Sequence, residues 1–128
     1  GNGGIIYPSL HYGRDALVGI ALFLTNLAEK NISCLQLRKS YPNYFISKNK
    51  IDLDQNTNID NIFNVLKKKY SKYDLNLIDG LKIDFDFGWV HLRRSNTEPI
   101  IRIYSESTSK EKSDRSAQEF INQIKEII

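Results

Sequence analysis

The sequence predicts an α+β fold, an antiparallel-rich sheet covered by helices and preceded by the tail of an α/β domain. Three observations predict it. From residue 44 onward the apolar pattern runs strand, helix, several hairpin-linked strands, helix, the order of a sheet with helices packed on it. Residues 1–40 read as one short strand and two helices, too little to close a core of their own. The 128 residues, 41% apolar and 26% charged, match one globular domain plus part of another, which excludes wholesale disorder.

The elements follow in order. Ile5-Ile6-Tyr7 is a short buried-strand candidate ended by Pro8. Asp15 opens a helix that runs to about Lys30, because Leu17, Ile20, Leu24, Leu27 and Ala28 recur at three- and four-residue spacing. Both terminal charges complement its dipole. Ser33 caps a second short helix through Ser40, and Pro42 disfavours helix at Tyr41. Tyr44 to Ile51 alternates as a strand. Ile59, Ile62, Phe63 and Leu66 form the stripe of a helix ending near Tyr70. Leu75–Ile78 is a strand, and Asp79-Gly80 signals a hairpin. Leu81, Ile83 and Phe85 alternate with Lys82, Asp84 and Asp86, which makes a half-buried strand. Phe87-Gly88 turns the chain into a strand from Trp89 to Arg94, and another spans Ile100 to Glu106. Thr108 with Glu111 fits a capping box. The last helix then carries Ala117, Phe120, Ile121, Ile124 and Ile128 on one face. About four strands are expected in the sheet.

Composition narrows the function. Lys and Arg exceed Asp and Glu by 18 to 15, a net charge of +3. That excess suits anionic ligands but is too small to indicate nucleic acid by itself. No apolar run reaches the roughly 18 residues of a membrane span. The single cysteine, Cys34, excludes an internal disulfide, fits a reducing cytosol and, with no histidine nearby, reads as a packed core thiol. Lys67-Lys68-Lys69 is a solvated helix end. Asp84 and Asp86 lack a third ligand, so no metal site is expected there. Trp89 is expected at the core or its boundary.

The segment Arg93-Arg94-Ser95-Asn96-Thr97-Glu98-Pro99 joins two strands. Arg93 offers a planar fork of donors suited to phosphate oxygens. Ser95 and Thr97 add hydroxyls, Asn96 an amide, and a tight loop adds a nest of backbone N–H groups. The same composition also describes a polar turn that satisfies its own backbone. Strand alternation puts Val90 and Leu92 on one face and Trp89, His91 and Arg93 on the other. On the next strand Ile101 and Ile103 suit the core, while Ile100, Arg102 and Tyr104 face away. Arg93 and Arg102 therefore share a face near the loop, as a second anion contact or as a salt bridge to a nearby acid. His91 can flank a phosphate or be a satisfied surface histidine, and Glu98 can contact a ligand or cap backbone.

Asp79-Gly80-Leu81-Lys82, Gly88-Trp89-Val90, Arg93-x-Ser95-Asn96-Thr97-Glu98-Pro99 and Arg102-Ile103-Tyr104 together resemble the C-terminal domain of the α-D-phosphohexomutases, the phosphoglucomutase, phosphomannomutase and phosphoglucosamine mutase family. The resemblance covers residues 41–128 and implies a TATA-binding-protein-like fold for them. It implies an enzyme of four domains, an intramolecular phosphotransferase that interconverts hexose 1-phosphates and 6-phosphates through a bisphosphorylated intermediate. Arg93, Ser95, Asn96 and Thr97 would contact the phosphate that is not being transferred, with Arg102 and Glu98 as further candidates. Residues 1–40 would be the remnant of the third, sugar-binding domain. Gly1-Asn2-Gly3-Gly4 falls within that domain's Gly-Glu-x-Ser-Gly-His-type loop, with Asn2 at the Ser position and Gly4 at the His position. Asn2 and His11 become the candidate sugar contacts.

The family's phosphoserine loop and its Mg²⁺-binding aspartate loop do not occur in this sequence. The resemblance therefore places Mg²⁺ outside this chain, and the chain by itself is expected to be catalytically inert. Its expected partners are a hexose phosphate and the remaining domains of a parent protein, in the cytoplasm, with no membrane. The alternative is a stand-alone module binding an anion or nucleic acid. That alternative needs a basic stripe, whereas Asp79, Asp84, Asp86, Glu98 and Glu106 interrupt the arginines.

Overall fold

The computed structural model describes residues 3–54 and 56–128 and divides the chain into two compact units, residues 1–42 and 43–128. In the first unit, strands β1 (Ile6–Tyr7) and β2 (His11–Arg14) pair antiparallel, followed by helices α1 (Ala16–Lys30) and α2 (Cys34–Ser40). Asp15 caps α1 through its carboxylate, which accepts from the Val18 N–H at 3.0 Å. Ser33 and Gln36 form the full reciprocal box at α2. Three expectations change here. The Ile5–Tyr7 strand is exposed rather than buried. The pairing strand His11–Arg14 has Gly13 at its centre and no apolar alternation, so its sequence carries no strand signal. Cys34 is exposed, not a core thiol: it sits in the first turn of a seven-residue helix whose one buried side chain is Leu37.

The second unit is an α+β layer. It holds β3 (Phe45–Asp52), α3 (Ile59–Lys69), β4 (Asp74–Asn76), β5 (Leu81–Phe85), β6 (Gly88–Arg94), β7 (Ile100–Ser107) and α4 (Lys110–Ile127). Its five strands form one antiparallel sheet in the order β3-β7-β6-β5-β4, where about four were expected. The short β4 pairs with β5 across the Asp79-Gly80 turn. Ser109, not Thr108, caps α4, because the Ser109 hydroxyl is the one that accepts from the Lys112 N–H.

Alternation divides the sheet into two faces. Ile51, Leu81, Ile83, Val90, Leu92, Ile101 and Ile103 form the inner face, buried with Ile62 and Leu66 of α3 and Ala117, Phe120 and Ile124 of α4. Tyr70 closes this core and stacks on Phe120. Its hydroxyl receives a 2.7 Å bond from the Gln123 amide, and burial pushes the phenol above its ordinary pKa. The outer face carries Lys48, Lys50, Lys82, Trp89, His91, Arg93, Arg102 and Tyr104. Trp89 is half-buried, its indole N–H donating to Glu106 at 3.0 Å. Ile100 departs from the expected pattern and is buried, because it starts β7 where the loop turns back into the sheet. No helix among the described residues is long and apolar enough to cross a membrane.

Candidate anion-binding site

The loop between β6 and β7 is short because its two strands pair directly. The Ser95 N–H donates to the Ile100 carbonyl at 3.1 Å, the Ile100 N–H donates to the Glu98 carbonyl at 2.8 Å, and the Pro99 carbonyl accepts from the Leu53 N–H at 2.8 Å. The last bond ties the loop to the end of β3. The Thr97 N–H donates to Ser95 Oγ at 3.4 Å, and the Ser95 and Thr97 hydroxyls lie 3.5 Å apart. The loop thus satisfies part of its own backbone and brings two hydroxyls to one side. Asn96, Thr97 and Glu98 are exposed, and the Glu98 side chain has no partner among the described residues.

A cavity of about 390 Å³ lies beside the loop, lined by Arg94, Ser95, Asn96 and Thr97 together with Thr57 and Asn58 at the start of α3. Arg94 was not singled out from the sequence. It belongs to the inner-face set of β6, and at the strand's end that face opens onto the cavity. Arg93 points the other way. It shares a face with Arg102, as alternation predicted, and the two are paired in register across β6 and β7, while Arg102 pairs in turn with Lys50. The Arg102 side chain is exposed and makes no hydrogen bond or ion pair among the described residues. Two cations placed directly opposite repel one another, and a bound anion relieves that repulsion.

Acids offset part of the positive charge. Asp79 Oδ2 is 2.9 Å from Arg93 Nε, and Lys82 pairs with Asp84. His91 is satisfied, its Nε2 donating to the Asp79 carbonyl at 2.6 Å. The sequence reading named Asp79 but did not place it against Arg93. Its hairpin signal was visible, but only the register puts that hairpin beside Arg93. In the first unit, His11 has both ring nitrogens engaged: Nδ1 accepts from the Gly13 N–H at 2.9 Å and Nε2 meets Asp15 Oδ2 at 3.0 Å. Asn2 lies outside the described residues. No three His, Cys, Asp or Glu side chains gather into a metal site among the described residues.

Residues 49–123 match the family model described as phosphoglucomutase/phosphomannomutase, C-terminal domain. The chain belongs to this family. Among similar proteins, a phosphoglucosamine/phosphogalactosamine mutase of Sulfurisphaera tokodaii is 36% identical over 99% of this chain and 28% of its own length. A phosphoglucomutase/phosphomannomutase of Thermococcus kodakarensis is 37% identical over 87% of this chain and 24% of its own. The chain thus spans about a quarter of these mutase relatives. A phosphoglucomutase/phosphomannomutase family protein of Burkholderia thailandensis shares the fold, with a TM-score of 0.51 at 23% identity over 72% of this chain and 19% of that one.

Proposed function

We propose that the chain is the phosphate-clamping C-terminal part of a phosphohexomutase, in which Arg93, Ser95, Asn96 and Thr97, with Arg102, hold the phosphate that is not being transferred. The observation that supports this reading is the in-register pairing of Arg93 with Arg102 on the two strands that the loop bearing the Ser95 and Thr97 hydroxyls joins. Two arginines opposite each other on adjacent strands, the Arg102 side chain without a partner among the described residues, suit an oxyanion, which forked donors bind well. Clamping one phosphate while the other reacts lets a hexose bisphosphate be presented from either end, and the clamp's contribution to rate is charge neutralisation and positioning.

The reacting serine and Mg²⁺ would come from other parts of a longer protein, and residues 1–42 would close its sugar-binding domain. On this reading the chain alone gives no turnover with any hexose phosphate. The outer sheet face carries the cations Lys82, Arg93 and Arg102 together with the acids Asp84 and Glu106, and this reading assigns it no nucleic acid. The names of the relatives leave the sugar open among glucosamine, galactosamine, glucose and mannose.

The test is Arg93→Ala in the full-length protein, assayed from the 1-phosphate and from the 6-phosphate. Hydrogen bonds to charged groups contribute roughly 1.5–3 kcal/mol, so kcat/KM should fall about 10- to 150-fold. Both directions should suffer, since each end of the intermediate visits the loop. Arg93→Lys should recover only part of the loss, because lysine lacks the fork. Unchanged kinetics in both directions with native circular dichroism would overturn the assignment in favour of a self-capped turn.

A further inference from the structure

Arg93 is held from the side by a turn that lies outside its own loop. Gly80 has φ 89°, and a Cβ there would run into the Leu92 carbonyl. Only glycine lets the β4–β5 turn close onto the end of β6. Closure seats Asp79 against β6 at two points, its carbonyl under His91 Nε2 and its carboxylate 2.9 Å from Arg93 Nε. The Nε atom is enclosed, yet 43% of the Arg93 side chain stays exposed. The Nε–H is not aligned on the carboxylate, so the contact is an ion pair rather than a hydrogen bond. Neither terminal nitrogen of Arg93 makes a hydrogen bond among the described residues.

A guanidinium presents donors along more than one edge. A carboxylate held at Nε restrains the group from the side and leaves the edge formed by the two terminal nitrogens for an oxyanion. We infer that Asp79 is a positioning residue: set by the Gly80 turn and pinned by His91, it orients Arg93 so that the terminal nitrogens face a phosphate. This rests on Arg93 being the phosphate contact. Asp79 touches no substrate on this account and acts only through Arg93.

The experiment is a double-mutant cycle in the full-length protein, reading the dissociation constant of glucose 1-phosphate and of inorganic phosphate. The ion pair is largely exposed, so the gain from holding Arg93 is modest. Asp79→Asn should weaken both ligands about three- to fivefold. Asp79→Glu, which keeps the charge, should recover most of the loss. In an Arg93→Ala background, already weakened about tenfold or more, Asp79→Asn should add nothing. Thermal unfolding of each variant should stay near wild type. If Asp79→Asn leaves both constants unchanged, tightens them, or still weakens them without Arg93, Asp79 does not position Arg93, although the phosphate clamp stands. If Arg93→Ala itself leaves both constants unchanged, the clamp assignment fails instead.

Discussion

Helices α1 and α4 both carry apolar residues at helical spacing and meet opposite fates. In α4, Ala117, Phe120 and Ile124 are buried against the sheet. In α1, Leu17, Ile20 and Leu24 are exposed, and no described residue of that helix is buried. The stripe specifies a face that wants covering, and only a partner layer within reach decides whether burial stabilises it. The second unit holds a five-stranded sheet as that layer. In the first, a two-stranded hairpin is too small for the purpose.

The contrast can be broken first at the cores. Ile103→Ala, at a fully buried sheet position, should cost about 2–5 kcal/mol, read as a lowered urea midpoint. Leu24→Ala on the exposed α1 stripe should change stability by less than about 0.5 kcal/mol. Equal costs would mean that the two units are packed alike after all. Next, Tyr70→Phe leaves the buried Gln123 amide without its 2.7 Å acceptor and should cost about 1–3 kcal/mol; the same melts would show it. Ser105→Ala should act in the opposite sense. Ser105 Oγ is buried on the inner face with no hydrogen-bond partner among the described residues, so its removal should be neutral or stabilising by up to about 1 kcal/mol.

The smallest effect lies in the first unit. The Val18 N–H, and after it His11, holds the Asp15 carboxyl below the usual carboxylate range. A depressed pKa means that the folded state binds the proton more weakly than the unfolded chain. The stabilisation of α1 by this cap is therefore complete above the ordinary carboxylate pKa and lost as the pH falls below it. Amide exchange in the first turn of α1 should speed up in that acidic window, and Asp15→Asn should flatten the dependence. An unchanged pH profile in the variant would mean that Asp15 titration does not control the cap.

Much of the second unit was legible because period and punctuation agreed. Leu81, Ile83 and Phe85 alternate between two glycine turns, and Ile62 and Leu66 keep helical spacing behind Asn58, whose side chain accepts from the Asn61 N–H. That Arg93 and Arg102 share a face was legible for the same reason, whereas their direct pairing was set by the register. The donors that the proposed clamp would use could be read from side-chain chemistry, because arginine, hydroxyl and amide groups need no fold to be recognised as donors.

Other features depend on distance between segments, which the sequence does not encode locally. The pairing of His11–Arg14 with Ile6–Tyr7 has no alternation to announce it. The ion pair between Asp79 and Arg93 joins residues fourteen apart, and the closing of β5 on β6 decides it. The opening of Arg94 onto the cavity beside Asn58 depends on where the inner face of the sheet ends. By itself the sequence determined which side chains can donate, which can pack and which way each strand alternates, since those follow from covalent chemistry and local period. The tertiary structure alone decided which stripe is covered and which acid pairs with Arg93, because burial and ion pairing are set by what lies within a few ångströms.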